Sequence, residues 1–263
     1  MIAIWHRPSA AVEYPELGAQ MSGHSKWATI KHKKGALDAK RGKLWTKLLK
    51  EITVAARLGG GDIDANPRLR LAVDQAKAAN MPKDTFERAV KKGAGELEGV
   101  SYEEVVYEAY GPGGVAFLIE ALTDNKNRTT PEVRSYFAKF GGDLGSQGSV
   151  GYLFSKKGQI VVDGSVPEEK VMEIALEAGA DDISGEEDAW VITTAPESYM
   201  EVKEAVDAAK LPLIEAKVIM APGTETRVPD DKLKSFLKLV DLLEDNDDVQ
   251  NVWHNGLYEE PEE

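Results

Sequence analysis

The chain contains no cysteine. That excludes disulfides, thiolate zinc sites and a cysteine nucleophile, and it suits a reducing cytoplasm, the expected location. Histidine is scarce, with four residues at positions 6, 24, 32 and 254, so histidine-based acid–base chemistry has few places to sit. No serine stands in a nucleophile-elbow pattern, and no pair of carboxylates is distinctively spaced. No apolar run approaches the roughly 20 residues that a membrane helix needs. Charged residues make up 29% and hydrophobic ones 42%, an ordinary globular balance that argues against disorder. A length of 263 residues allows two or three domains, each with its own core.

Acid is abundant, and it is unevenly spread. The net charge is −13, yet residues 24–50 carry nine Lys or Arg against one acid, Asp38. From residue 21 to 99 there are 17 basic and 9 acidic residues; from 100 to 263 there are 14 and 34. One end of the molecule is therefore cationic and the remainder strongly anionic. A concentrated positive block in an acidic protein points to a negative partner, with nucleic acid the leading candidate. The acidic remainder would orient the molecule and weaken indiscriminate binding.

Residues 1–20 differ in character from the rest of the chain. They hold one Arg, two Glu and two Pro, match neither a signal peptide nor a mitochondrial presequence, and are expected to be a non-native or disordered extension ahead of Met21. Residues 37–57 predict a helix. At 100° per residue, Leu37, Leu44, Trp45, Leu48, Leu49, Ile52, Ala55 and Ala56 share one arc. Lys40, Lys43, Lys47 and Lys50 share another, a lysine ridge, while Arg41 falls in the apolar arc, so that either it snorkels or the helix starts later. Shorter amphipathic helices follow Pro67 and Pro82, so residues 37–95 predict a three-helix bundle behind a basic arm.

The texture then changes. Strands are expected at 105–110 and 115–122, a helix at 131–140, and a hairpin turning at Lys157-Gly158 between 152–154 and 159–162. From 159 to 220 the order reads βαββαβ, the ferredoxin-like pattern. A helix at 230–243 and a strand at 249–253 lack nearby partners and are expected to return to the sheet begun at residue 105. The fold class is therefore α+β: an N-terminal three-helix bundle and two α/β domains, one ferredoxin-like and inserted in the other. Expected boundaries are 21–98 for the basic helical domain, 99–155 with 224–258 for the middle domain, 156–223 for the inserted domain and 259–263 for an acidic tail.

The candidate nucleic-acid-binding residues are His24, Lys26, Trp27, Lys31, His32, Lys33, Lys34, Lys40, Arg41, Lys43, Lys47 and Lys50. Lysines pair with phosphates, and Trp27 or the histidines could stack on a base or sugar; for Trp27 alone, packing on the bundle is the favoured role. His24 and His32 lie eight residues apart among cations, an unfavourable setting for a metal, so no metal and no cofactor is expected. The GK pair at 42–43 lacks the glycine spacing and the hydroxyl of a phosphate loop. Gly142-Asp143-Leu144-Gly145 matches a GxxG loop of RNA-binding domains, but turn or cap duty is the favoured reading. In "TDNKNRT", residues 123–129, Asn125, Asn127 and Arg128 are candidate partner contacts. Thr129 or Thr130 is expected to cap the helix opening at Pro131.

These segments together resemble the YebC/PmpR family of bacterial transcriptional regulators and mitochondrial translational activators. The resemblance rests on "GHSKWATIKHKKGALDAKRGKL", "NMPKDTFERAVKKG", "YGPGGVAFLIEALTDNKNRT" and "GGDLGSQGSVGYLF", and runs from about residue 21 to 258. It implies three domains around a cleft, no catalytic activity, and action on transcription or at the ribosome. It transfers no catalytic or ligand-binding residue.

The resulting expectation is a non-enzymatic, nucleic-acid-binding regulator of gene expression, a monomer, with DNA as the partner. The alternatives are a ribosome- or RNA-associated translation factor and a protein-interaction module using the acidic domains. Lysine along the ridge suits phosphates better than base edges.

Overall fold

The computed structural model describes residues 37–186 and 188–258, with side chains from residue 42 onward. The fold is α+β, with three helices first, then two four-stranded antiparallel sheets and one two-stranded parallel sheet among the described residues. α1 (Leu37–Gly59), α2 (Pro67–Ala78) and α3 (Lys83–Gly93) form the bundle. Leu48, Ile52, Ala55 and Ala56 of α1 meet Leu69, Ala72, Val73 and Ala76 of α2 and Phe86 and Ala89 of α3. The period-3.6 pattern thus drives burial of one stripe per helix. Leu44, although in the apolar arc, is exposed. Asn66 joins two helices: its Oδ1 accepts from Leu69 N–H at 3.1 Å as the cap of α2, and its Nδ2 donates to the Ala55 carbonyl at 2.8 Å.

β1 (Glu103–Tyr110), β2 (Ala116–Thr123), α4 (Lys126–Lys139) and β3 (Asp143–Leu144) begin the middle unit. The chain then leaves it and returns through β8 (Thr226–Arg227), α7 (Asp230–Asp245), β9 (Val249–His254) and β10 (Gly256–Leu257). The sheet order is β3-β1-β2-β9, and Phe117 of β2 faces His254 of β9 across the ladder. The late strand therefore completes the sheet started at residue 103. Phe117, Phe137, Phe236, Leu239 and Leu243 lie in the core beneath it. His254 serves there as an aromatic, its ring 5.0 Å from that of Phe236.

The intervening unit comprises β4 (Phe154–Asp163), α5 (Glu168–Glu177), β5 (Asp182–Glu186), β6 (Ala189–Thr194), α6 (Tyr199–Ala208) and β7 (Leu213–Pro222). Its antiparallel order, β5-β6-β4-β7, is that of a split βαββαβ unit. Both helices pack on one face around Ile160, Ile192, Val171 and Val202.

Two local expectations are corrected. There is no hairpin at Lys157-Gly158: β4 runs unbroken through both residues. Gly158 serves close approach, since a Cβ there would lie 2.2 Å from Thr194 Oγ1 and 2.7 Å from Tyr199 Cδ2; glycine in a strand interior often marks such a close approach. The second correction concerns α4, which begins at Lys126 and contains Pro131, with Asn125 rather than Thr129 or Thr130 as its cap. The Asn125 side chain accepts from Arg128 N–H at 3.2 Å. Proline is best placed in the first turn, but the cap and the tertiary bonds of Arg128 and Thr129 outweigh that preference.

Replacing Gly158 with Ala is expected to destabilise the protein by about 1–3 kcal/mol through overpacking against Tyr199 and Thr194. Urea denaturation, followed through the midpoint shift at unchanged slope, checks this.

Candidate nucleic-acid interface

α7 ends as Asp241-Leu242-Leu243-Glu244-Asp245 and is followed by Asn246-Asp247-Asp248. That composition is wrong for a helix carboxy terminus, where the macrodipole favours cations and four carbonyls lack partners. No basic residue lies in its last turn. The lysine ridge of α1 supplies the missing cations. Lys43 Nζ donates to the Asp245 carbonyl at 3.1 Å and pairs with its carboxylate at 2.8 Å. Lys47 Nζ donates to the Glu244 carbonyl at 2.7 Å. Lys50 Nζ reaches the Asp247 carbonyl at 2.8 Å, the Leu122 carbonyl at 3.4 Å and Asp248 Oδ1 at 2.7 Å.

The three contacts differ in depth. The Lys43 and Asp245 side chains are 43% and 54% exposed, whereas those of Lys50 and Asp248 are 10% and 7% exposed. Asp248 is the centre of a polar hub. Its Oδ2 accepts from Arg128 at 2.6 Å, Thr129 Oγ1 at 2.6 Å and Thr123 Oγ1 at 3.2 Å. Burial pushes the Asp248 carboxyl up, but hydrogen bonds from Lys50, Thr129 and Arg128 outweigh it and hold the group down at about 2. The Lys50 ammonium also lies 5.5 Å from the Tyr102 ring centroid.

Two further cations tie the bundle to the rest. Arg57 donates to Ser101 Oγ at 2.8 Å and to the Val100 carbonyl at 3.2 Å in the connecting segment. Arg68 pairs with Glu51 on α1 at 2.6 Å and with Glu104 on β1 at 2.7 Å.

Of the candidate residues, His24, Lys26, Trp27, Lys31, His32, Lys33 and Lys34 lie outside the described residues, and Lys40 and Arg41 lie in α1 with no described side chain. Lys43, Lys47 and Lys50 are brought together, but against carboxylates and carbonyls of the same chain. For Lys50 in particular, the expectation of an outward phosphate-gripping amine gives way to a buried structural ion pair. Arg128 pairs with Asp248 at 2.6 Å and Asp124 at 2.9 Å, yet its side chain stays about half exposed. Asn125 caps α4, and Asn127 is exposed on its first turn.

The glycine-rich loop at 141–154 also has an internal purpose. The Glu108 carboxylate accepts from the N–H groups of Gly148, Val150 and Gly151, each at 2.7 Å. Burial raises the Glu108 pKa, and these backbone donors more than offset it, leaving it below the ordinary value. Those N–H groups are engaged by Glu108, and a Cβ at Gly142 or Gly145 would meet Tyr110 O or Ser149 Oγ within 2.5 Å. The loop thus serves as a packed turn. Among the described residues, no group of three or more metal-ligating side chains is placed to hold a metal ion, and no helix is long and apolar enough to cross a membrane.

Two family models match the chain: the TACO1/YebC protein N-terminal domain over residues 25–96, and the TACO1/YebC second and third domain over residues 102–256. The chain belongs to the YebC family. A "Probable transcriptional regulatory protein" of Geobacter sulfurreducens is 59% identical over 235 residues, covering 89% of this chain and 95% of the relative. One of the same name from Syntrophobacter fumaroxidans is 58% identical over 237 residues, covering 89% and 95%. A crystal structure of a conserved hypothetical protein from Aquifex aeolicus superposes with a TM-score of 0.81 at 50% identity, covering 90% of this chain and 98% of that one. The family is thus named for regulation rather than for an enzymatic activity.

The depressed carboxyl of Asp248 fixes the sign of a pH dependence. Its folded pKa of about 2 lies below the ordinary 3.8, so its stabilisation is fully present above about pH 4 and is lost as pH falls through 2. Glu108 acts in the same direction. Between pH 4 and 2 the urea midpoint of the wild type is expected to fall more steeply than that of Asp248→Asn. Parallel acid limbs would contradict the assignment.

Proposed function

We propose that this chain is a non-enzymatic, nucleic-acid-binding regulator of gene expression that acts on DNA in the cytoplasm. The supporting observation is the charge partition: 17 basic against 9 acidic residues in 21–99, against 14 and 34 in 100–263. Three of the ridge lysines are engaged within the chain, so initial phosphate binding is assigned to Lys26, Lys31, Lys33 and Lys34 of the arm with Lys40 and Arg41 at the start of α1. The division into a helical unit at 21–98, a middle unit at 99–155 with 224–258 and an inserted unit at 156–223 separates the binding end from the acidic remainder. That remainder repels phosphates and orients the molecule on its target. The relatives' name supports transcription as the process and a nucleic acid as the partner.

A second reading rests on a specific feature. The cations of the arm are lysines, which serve phosphates as point charges, and neither the arm nor α1 offers an array of Arg, Asn or Gln for base edges. A backbone reader of that kind would also serve on ribosomal RNA, which would make the protein a translation factor.

With about six phosphates neutralised, one for each assigned cation, log affinity for duplex DNA is expected to fall with log salt at a slope near −5.4. Replacing Lys26, Lys31, Lys33 and Lys34 with Ala leaves Lys40 and Arg41 and should reduce the slope to about −2. Fluorescence anisotropy across a salt series measures both, and a salt-independent affinity contradicts the reading. Crosslinking in cells then distinguishes the targets: recovered promoter fragments support transcription, and recovered ribosomal RNA supports translation.

A further inference from the structure

We propose that the acidic carboxy-terminal end of α7 is a built-in competitor for DNA, occupying the lysine ridge of α1 until a phosphate backbone displaces Lys43 and Lys47 from it. The inference rests on the proposed function.

The oxygen groups that meet the ridge are chemically what a phosphate strand would offer. Lys43 meets a carboxylate and a carbonyl of Asp245, and Lys47 meets the Glu244 carbonyl. Asp241 and Asp247 are exposed at the same end of the helix and would repel an approaching strand. Lys40, bound to DNA in the proposed function, precedes Lys43 by three residues on the same ridge. At 1.5 Å per residue the two are only about 5 Å apart along the axis. A strand held by the arm and Lys40 therefore reaches Lys43 as its next cation.

Burial sets the order of release. The Lys43–Asp245 pair has both side chains about half exposed, so it is weak and screened by salt. Lys50 and Asp248 are nearly closed to solvent, and Asp248 is held by three other donors. Separating them would leave an uncompensated buried charge. The contact therefore opens from the amino-terminal end of α1, with Lys50–Asp248 retained as the hinge. Displacement exchanges one set of oxygen acceptors for another, so no bond of the ridge is left unmade at the end.

The absence of native cysteine permits a direct test on the full chain. Spin labels at Gly42→Cys, exposed and with open space around it among the described residues, and Ser235→Cys on α7 report the separation of the two helices. Saturating with a DNA duplex of about 20 base pairs, long enough to offer the arm and ridge their phosphates, is expected to lengthen and broaden that distance. Asp245→Asn is expected to bind the same duplex about three-fold more tightly than wild type, the contribution of one exposed pair. Asp231→Asn, the same charge change in the first turn of α7, should have a clearly smaller effect. Equal effects of the two substitutions, or an unchanged distance at saturation, would overturn the competitor while leaving DNA binding intact. Failure of the wild type to bind duplex at low salt would overturn the proposed function and this inference together.

Discussion

The arrangement of this protein depends on a helix that ends in the wrong charge. α7 places acids at its own negative pole and carries no basic residue in its last turn, so its terminal carbonyls and carboxylates need cations from elsewhere. α1 supplies them from a different part of the chain, through Lys43, Lys47 and Lys50. The deepest of these, Lys50, meets Asp248, and Asp248 in turn gathers Arg128, Thr129 and Thr123. A single carboxylate thereby links the helical bundle, the edge of β2, the first turn of α4 and the start of β9. Removing one partner of such a pair costs far more than the pair contributes over an apolar substitute, so loss of either side chain is costly although the pair itself adds little net stability.

Under the proposed function the same basic residues have two competing sets of acceptors. An acidic molecule with one cationic end attracts polyphosphate there and is repelled elsewhere. Within the chain, α7 already provides acidic oxygens to that end. Under the proposed function the outer lysines are shared between self and partner, whereas the inner one is committed to the fold. Sharing of this kind would make affinity for the target depend on how firmly the chain binds itself, most readily through the exposed pair.

Much of this is legible in the sequence, and the failures have physical causes. The bundle and the βαββαβ order follow from periodicity, because one buried stripe per helix and alternating strands leave strong local patterns. The return of β9 to β2 can be anticipated from an unpartnered helix and strand at the end of the chain. The amino end of α4 is misplaced by sequence because Pro131 gives a stronger local signal than Asn125, whose cap is reinforced by tertiary bonds that spacing does not reveal. Gly158 reads as a turn because close packing against Tyr199 leaves no local trace. The ridge is visible as a row of cations, but its partner lies about two hundred residues away. The one available signal is the run of acids closing α7 without a neighbouring base, an electrostatic imbalance that some other segment has to relieve.

The most direct test of the account is a double-mutant cycle between Lys50 and Asp248. Stabilities of the wild type, Lys50→Met, Asp248→Asn and the double variant, measured by urea denaturation at neutral pH, give the coupling between the two side chains. A coupling of about 2 kcal/mol or more is expected for a buried pair at the centre of a shared network. A coupling near zero would contradict the claim that this contact fixes the bundle on the end of α7.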